Sequence, residues 1–429
     1  IVNTPDINPA MPGVGTIVII DSKLIYTGDK NASTPAINNQ QGSVFARNLT
    51  IDYPIRILDL GVNRSAELPD GGEFSSKGVY DINGLTTTGQ SMNLPIKNPP
   101  IIPWDEDFTN WAVVNPDGNG TADDADAINA AIASGKSTVC IRYGLININK
   151  PINFLDGHNV KRFLVLGMIK VGGPTLTTTD GVFDPTVKKP VFTIGTGANE
   201  ALVIEGIKTR NGNYFQYIQN NSTKTLILRS NALYGANRAY RNRYDATHKP
   251  GTLFIEDMAT LAENPYGKTQ PGPGFLFDHQ DVYARSFDPE NVNPFMLNQG
   301  GNVWIMGVKT EGLGVPFVTT QGGYTEVLGG EINGTFKGDV HQEIINTTDA
   351  NVSIIVSEKG RFPELVRNTV VVDTRNGVTK TMQKGVMPQT AKPGKYVTST
   401  DIPLFISYVT KPVKQTGKAA RQRPVRQLR

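Results

Sequence analysis

The chain has 429 residues, with 42 lysines and arginines against 39 aspartates and glutamates, for a formal net charge of +3. That near-balance gives the body of the chain no global field for nucleic acid, and no apolar run has the length of a membrane span. A single cysteine, Cys140, excludes a disulfide within the chain. It sits in the apolar run Thr138-Val139-Cys140-Ile141 and reads as a small buried hydrophobe.

Charged residues make up only 19%, and the polarity comes instead from Asn, Thr, Gln and Ser. Those side chains suit turns and hydrogen-bonded surfaces better than exposed helices. The expected class is all-β. Residues 1–95 hold three β-rich stretches, at 16–20, 43–51 and 55–60, and read as the closing rungs of a first coil. A linker at 96–114 follows a run of prolines, Pro95, Pro99, Pro100 and Pro103.

One helix is predicted, over 123–135. Asp123, Asp124 and Asp126 suit its N-terminus. Ala127, Ile128, Ala131 and Ile132 form an apolar stripe at helical spacing, and Gly135 supplies the stop. From there to 385 short β-rich runs recur, at 163–166, 191–194, 202–204, 225–228, 252–255, 303–306, 325–328 and 352–356. Gly, Asn, Asp or Pro separates them.

Several intervals are roughly twenty to twenty-five residues, the period of a stacked solenoid. No helices fall between the strands, so a doubly wound sheet is excluded and a right-handed parallel β-helix over 115–385 is expected. The helix would cap its first rung. Residues 386–429 lose the pattern and read as an irregular basic tail that docks on a partner or on the chain itself.

Asn119-Gly120-Thr121-Ala122-Asp123-Asp124-Ala125-Asp126-Ala127-Ile128-Asn129-Ala130-Ala131-Ile132, followed by Gly135-Lys136-Ser137-Thr138-Val139, resembles the motif DGxxDDTxAIxxAI…GxTV that opens coils of the pectate-lyase-like β-helix superfamily. That motif specifies a fold better than a reaction. A narrower resemblance rests on 42–50, 102–105, 282–285 with Pro289 and Glu290, 303–311 and 325–330. In this order they are similar to bacterial relatives of glycoside hydrolase family 55.

The resemblance implies an inverting β-1,3-glucanase with two β-helix lobes and substrate between them, here with the second lobe whole and only the end of the first. It implies a polysaccharide ligand, an extracellular or cell-surface setting, and a second polypeptide over the open end of the first lobe. It places the family's general acid near Gly334 or Thr335, where this chain has no carboxylate. No cofactor and no metal site are expected.

The densest group of candidates runs from 279 to 331. Glu290, Glu311 and Glu331 lie 21 and 20 residues apart. Equivalent positions stack at roughly 4.8 Å per rung, so these acids would form a ladder. Adjacent carboxyls about 5 Å apart suit retaining hydrolysis, and alternate ones about 10 Å apart suit inversion. Mutual repulsion would keep one of them protonated. A structural ion pair of Glu311 with Lys309 or Arg285 is the alternative.

Trp304 and Tyr324 are candidates to stack on a sugar ring, with core packing as the alternative for Trp304. Lys309, Arg285 and Glu326 complete the expected binding set. His279 reads as a surface turn residue without a second ligand nearby. Arg238, Arg241 and Arg243 with Tyr240 and Tyr244 read as a solvated loop or an acidic-ligand site. The aspartates at 123, 124 and 126 are better helix caps than cation ligands.

No phosphate-binding loop, nucleophile elbow or Cys/His metal spacing is present. Two functions stay open, a glycoside hydrolase and a non-catalytic β-helix subunit of a surface, appendage or phage assembly. A lyase would need an aspartate cluster for calcium and a basic catalyst.

Overall fold

The computed structural model describes residues 1–3, 16–27, 33–86, 89–178, 188–209, 214–262, 270–312, 314–334, 343–360, 367–391 and 398–408. The chain is all-β: among the described residues a single α-helix, Ala125–Ala133, stands among strands. In the second half the chain alternates between two parallel sheets. Leu253–Leu261, Asp281–Glu290, Asn302–Glu311, Tyr324–Gly334 and Asn351–Gly360 belong to one. Phe275–Asp278, Met296–Gln299, Phe317–Thr320, Ile345–Thr348 and Thr369–Arg375, which fall between or after them, belong to the other.

Each strand pairs in register with the next of its own sheet, so side chains stack in columns. Leu253, Val282, Val303, Thr325 and Val352 form one such column. Phe275, Met296, Phe317, Ile345 and Val371 face it from the other sheet. All are buried. Thr325, the one hydroxyl among them, bonds Asn298 at 3.0 Å and Thr319 at 2.8 Å, so its polar atom is satisfied.

The helix buries Ala125, Ile128 and Ile132 in the same core. Its acids do more than cap. Asp123 Oδ1 accepts from Ala125 N at 3.2 Å and Asn149 N at 3.0 Å, and Asp124 Oδ2 accepts from Asn147 N at 2.9 Å. They tie the helix start to the first strands. Before them, Asp117 accepts from the N–H groups of Ala122, Gly120 and Asn119, which hold its pKa down at about 2. Cys140 is buried, and burial raises its thiol pKa.

Residues before 86 form their own small parallel sheets. Thr16–Ile20 pairs with Ser43–Arg47, Lys23–Ile25 with Thr50–Asp52, and Val2–Asn3 with Pro35–Asn39. Val2–Asn3 is an edge strand, with Ile1 and Val2 half-exposed. This part is not separate from the rest. Val79–Asp81 lies parallel to Thr398–Ser407, which runs antiparallel to Asn351–Gly360.

The stretch from 386, expected to be irregular, therefore contributes a closing strand. Its Ile402, Leu404, Phe405 and Ile406 are buried, while Pro403 disguises the run as a loop. The basic residues from 411 onward lie outside the described residues.

Residues 89–107 carry almost no regular structure yet are firmly seated. They run along the outside of the first sheet, against the order of its strands. Glu326 accepts from Asn93 N and Leu94 N at 2.9 and 3.2 Å. Arg285 Nη2 donates to Lys97 O and Asn98 Oδ1, both at 3.0 Å. Arg162 Nη2 donates to Ile102 O at 2.7 Å.

Beneath this strap lies an outward column, Val203, Ile227, Phe254, Tyr283 and Trp304, one residue per layer. Met92 and Leu94 from the strap and Ile20 and Phe45 from the first part bury it. Each large apolar side chain so covered contributes about 1.5–3 kcal/mol.

At the head of this seam Arg47 Nη1 lies 2.9 Å from Glu326 Oε1, with both side chains essentially inaccessible. Removing one partner strands a buried charge, whereas removing both does not. Glu326→Leu or Arg47→Met alone is expected to cost about 3–5 kcal/mol, and the double replacement less than either single one. Urea denaturation of the three variants checks this; additive losses would contradict it.

Candidate functional site

The long strands of the first sheet are bent. Ser230, Asp257, Ser286, Gly307 and Gly329 all have φ between 50° and 79°, one at the same place in each successive layer. A left-handed residue turns the strand and resets its alternation. Pairing accordingly runs Arg229 to Glu256, skips one position, and resumes at Asn231 with Met258. After the bend Met258, Phe287 and Val308 point into the core and are buried.

The residues one and three further on face outward. They are Ala259 and Leu261, Asp288 and Glu290, Lys309 and Glu311, then Glu331 and Asn333. Register carries Tyr234 to Leu261 to Glu290, and Ala232 to Ala259 to Asp288.

Three carboxylates converge on one ammonium here. Lys309 Nζ is 2.9 Å from Glu311 Oε1 and 3.7 Å from Asp288 Oδ2, and it donates to Glu290. Burial alone would lower the Lys309 pKa, but the hydrogen bonds to Glu290 and Glu311 and the charge of Asp288 outweigh it and raise the pKa. One lysine does not balance three acids.

Burial, then repulsion from Glu290, pushes the Asp288 carboxyl up to about 7 against the pull of Lys309. Asp288 Oδ1 is buried without a hydrogen-bond partner among the described residues. Oδ2, toward Lys309, is the oxygen left to face outward. Asp288, Glu290 and Lys309 line one end of an open depression of about 230 Å³, and Tyr234, Ala259 and Leu261 line the other.

Of the expected catalytic residues, Glu290 and Glu311 meet at this ammonium. Glu331 does not stack on Glu311. Register sets it beside Lys309, because this layer is longer than the one before, and Lys359 takes its carboxylate. Asp288 was not anticipated. Gly334 ends its strand, and Thr335 lies outside the described residues.

The expected binding residues are divided between two faces. Lys309 is in the cluster. Trp304, 2% exposed, is buried in the seam under the strap, and Tyr324 packs against that seam. Arg285 lies over the Trp304 ring at 5.1 Å and holds the strap. Glu326 is 0% exposed and bonds Arg47, Asn93 and Leu94. A carboxylate so enclosed cannot touch a polymer in solvent, so these four hold the seam, and the notebook of surface chemistry narrows to the face beyond the bend.

Elsewhere, Arg238, Tyr240 and Arg241 belong to the strand Ala236–Asn242, not to a loop, and Tyr240 is buried. His279 has positive φ, stacks on Tyr244 at 3.9 Å and bonds Asp278 at 2.7 Å. Among the described residues no group of His, Cys, Asp and Glu is arranged to hold a metal ion. No helix among them is long and apolar enough to cross a membrane, which says nothing about strands. In comparisons with known proteins, no family model matches this chain and no curated protein matches it significantly.

Because the Asp288 pKa is raised by folding from its ordinary 3.8 to about 7, the folded state holds a proton that the unfolded chain releases. This contribution to stability is complete below pH 4 and is lost as pH rises through 7. Asp288→Asn mimics the protonated form. Its urea midpoint is expected to match the parent at pH 4 and to exceed it at pH 8. A midpoint below the parent at pH 8 would show that Asp288 is a stabilising anion instead.

Proposed function

We propose that the chain is a right-handed parallel β-helix protein that hydrolyses a polysaccharide, with Asp288 as general acid and Glu311 as the carboxylate partner. The observation that carries this reading is a half-buried carboxyl with its pKa raised to about 7, beside a second, ionised-type site on the same open face. Paired acids in unlike environments are what glycoside hydrolysis requires. The alternation of strands between two in-register parallel sheets supports the coil, and the resemblance to glycoside hydrolase family 55 supports a β-1,3-glucan outside the cell.

Asp288 Oδ2 and Glu311 Oε1 each lie within 3.7 Å of one nitrogen. They are therefore at most roughly 7 Å apart, nearer the spacing of about 5 Å in retaining enzymes than the middle of the inverting range. In a retaining reaction Asp288 gives its proton to the glycosidic oxygen as that oxygen leaves the anomeric carbon. Glu311 bonds to this carbon. Water then displaces Glu311 and returns a proton to Asp288. Lys309 holds Glu311 in place and leaves it once the new ester has no charge to pair.

A specific observation favours a second reading, a non-catalytic binding or assembly module. Lys309 already contacts all three acids, and Lys359 contacts Glu331, so the face is largely charge-compensated.

The experiment is hydrolysis of soluble β-1,3-glucan, with the product anomer read by proton NMR. Activity is expected to fall as pH rises past about 7, and Asp288→Asn and Glu311→Gln are each expected to lose about 10²–10⁴-fold. Retention of configuration is expected. Absence of cleavage by the parent protein on β-1,3-glucan and on other glycans would favour the binding-module reading.

A further inference from the structure

We propose that Tyr234, with Leu261 and the floor at Ala259, forms the subsite that binds the sugar ring next to the scissile bond. This rests on the hydrolase reading. Tyr234 ends the strand Thr225–Tyr234 and is 46% exposed, a large exposure for an aromatic in a column whose neighbours are covered. It stands in register with Leu261 and, one layer further, with Glu290. Two layers separate it from the acids, about 10 Å, the span of about two linked sugar rings.

The column beside it is Ala232, Ala259 and Asp288. Two alanines in succession leave the backbone surface low between the aromatic wall and the carboxyl. The depression of about 230 Å³ lies there, large enough for one ring and too small for an extended chain. A pyranose has one apolar face of C–H groups and a rim of hydroxyls. Tyr234 and Leu261 offer apolar surface to the face, and Asp288, Glu290 and Lys309 offer acceptors and a donor to the rim. Few other ligand classes need both within one ring's width. Ala259 would be the position that sets which ring substituents fit.

The test uses the full chain carrying Asp288→Asn, which is expected to bind without cleaving, and β-1,3-linked glucohexaose as probe in calorimetry. Tyr234→Ala in that background is expected to weaken binding by about tenfold, Tyr234→Trp to restore it, and Ala259→Leu to abolish it. In the active chain Tyr234→Ala is expected to raise KM while the pH dependence set by Asp288 stays in place. Cleavage by the parent with binding unchanged in Tyr234→Ala would overturn this subsite and leave the hydrolase reading standing. No cleavage and no binding by any variant would overturn both. Loss of the pH dependence in Tyr234→Ala would make Tyr234 a support for Asp288 rather than a sugar platform, and would overturn the subsite alone.

Discussion

A carboxylate without access to water must find all its hydrogen bonds inside the protein. Glu326 finds them in three separate parts of the chain: Arg47 from the first part, Asn93 N and Leu94 N from the strap, and Ser353 from the next layer at 3.4 Å. Ser91 also accepts from Arg47 and donates to Glu73, which brings in a further strand of the first part. None of these segments can move without stranding the charge. The joint therefore sets where the first part sits and where the strap starts its return along the sheet. It also decides which surface is lost to solvent. The outward column from Val203 to Trp304 is covered as a consequence, and the face beyond the bend is left open.

The bend lets one strand serve both surfaces. Before it, outward positions form the seam; after it, the next outward positions form the acid face. In-register stacking treats charges on the two sides differently. On the seam side Glu205, Arg229, Glu256 and Arg285 alternate in sign along one column, and ion pairs of 3.3 to 3.8 Å link them. Arg162 adds a pair with Glu205 at 2.5 Å. That column is neutral in sum. Beyond the bend, Asp288, Glu290 and Glu311 share one lysine. The same geometry that stabilises the first column concentrates negative charge in the second, and it is met by keeping a proton on Asp288 rather than by adding a base.

Much of the strand content was readable because buried parallel strands are near-continuous apolar runs. The helix was readable from its stripe and its acids. The bends were not. A serine or aspartate with positive φ looks like any polar residue, so each long strand was read only up to its bend, as in 225–228 for Thr225–Tyr234. For the same reason Asp288 was missed: in Arg285-Ser286-Phe287-Asp288-Pro289-Glu290 the alternation restarts after Ser286, and Pro289 suggests a turn. Glu331 was misplaced because equal spacing assumes equal layers. Glu326 and Trp304 sit at outward positions of a strand, which local pattern assigns to solvent. Only the distant segments 20–47 and 91–96 bury them, and no window along the chain contains both partners.

The distribution of aromatic residues makes sense in the same terms. An outward Trp or Tyr on a stacked sheet is either covered by another part of the chain or left as a platform. Phe254 and Tyr283 stack at 5.4 Å under the strap, and Trp304 continues their column; all three serve the seam. Tyr234 lies past the bend, where neither strap nor first part reaches, and it keeps nearly half of its surface. Sequence marks Trp304 as the likelier ring-binding residue by size and neighbourhood, yet the tertiary seam reverses that order. What distinguishes a platform from a core aromatic in this fold is the side of the left-handed bend on which it falls, and the unbalanced acids fall on the same side.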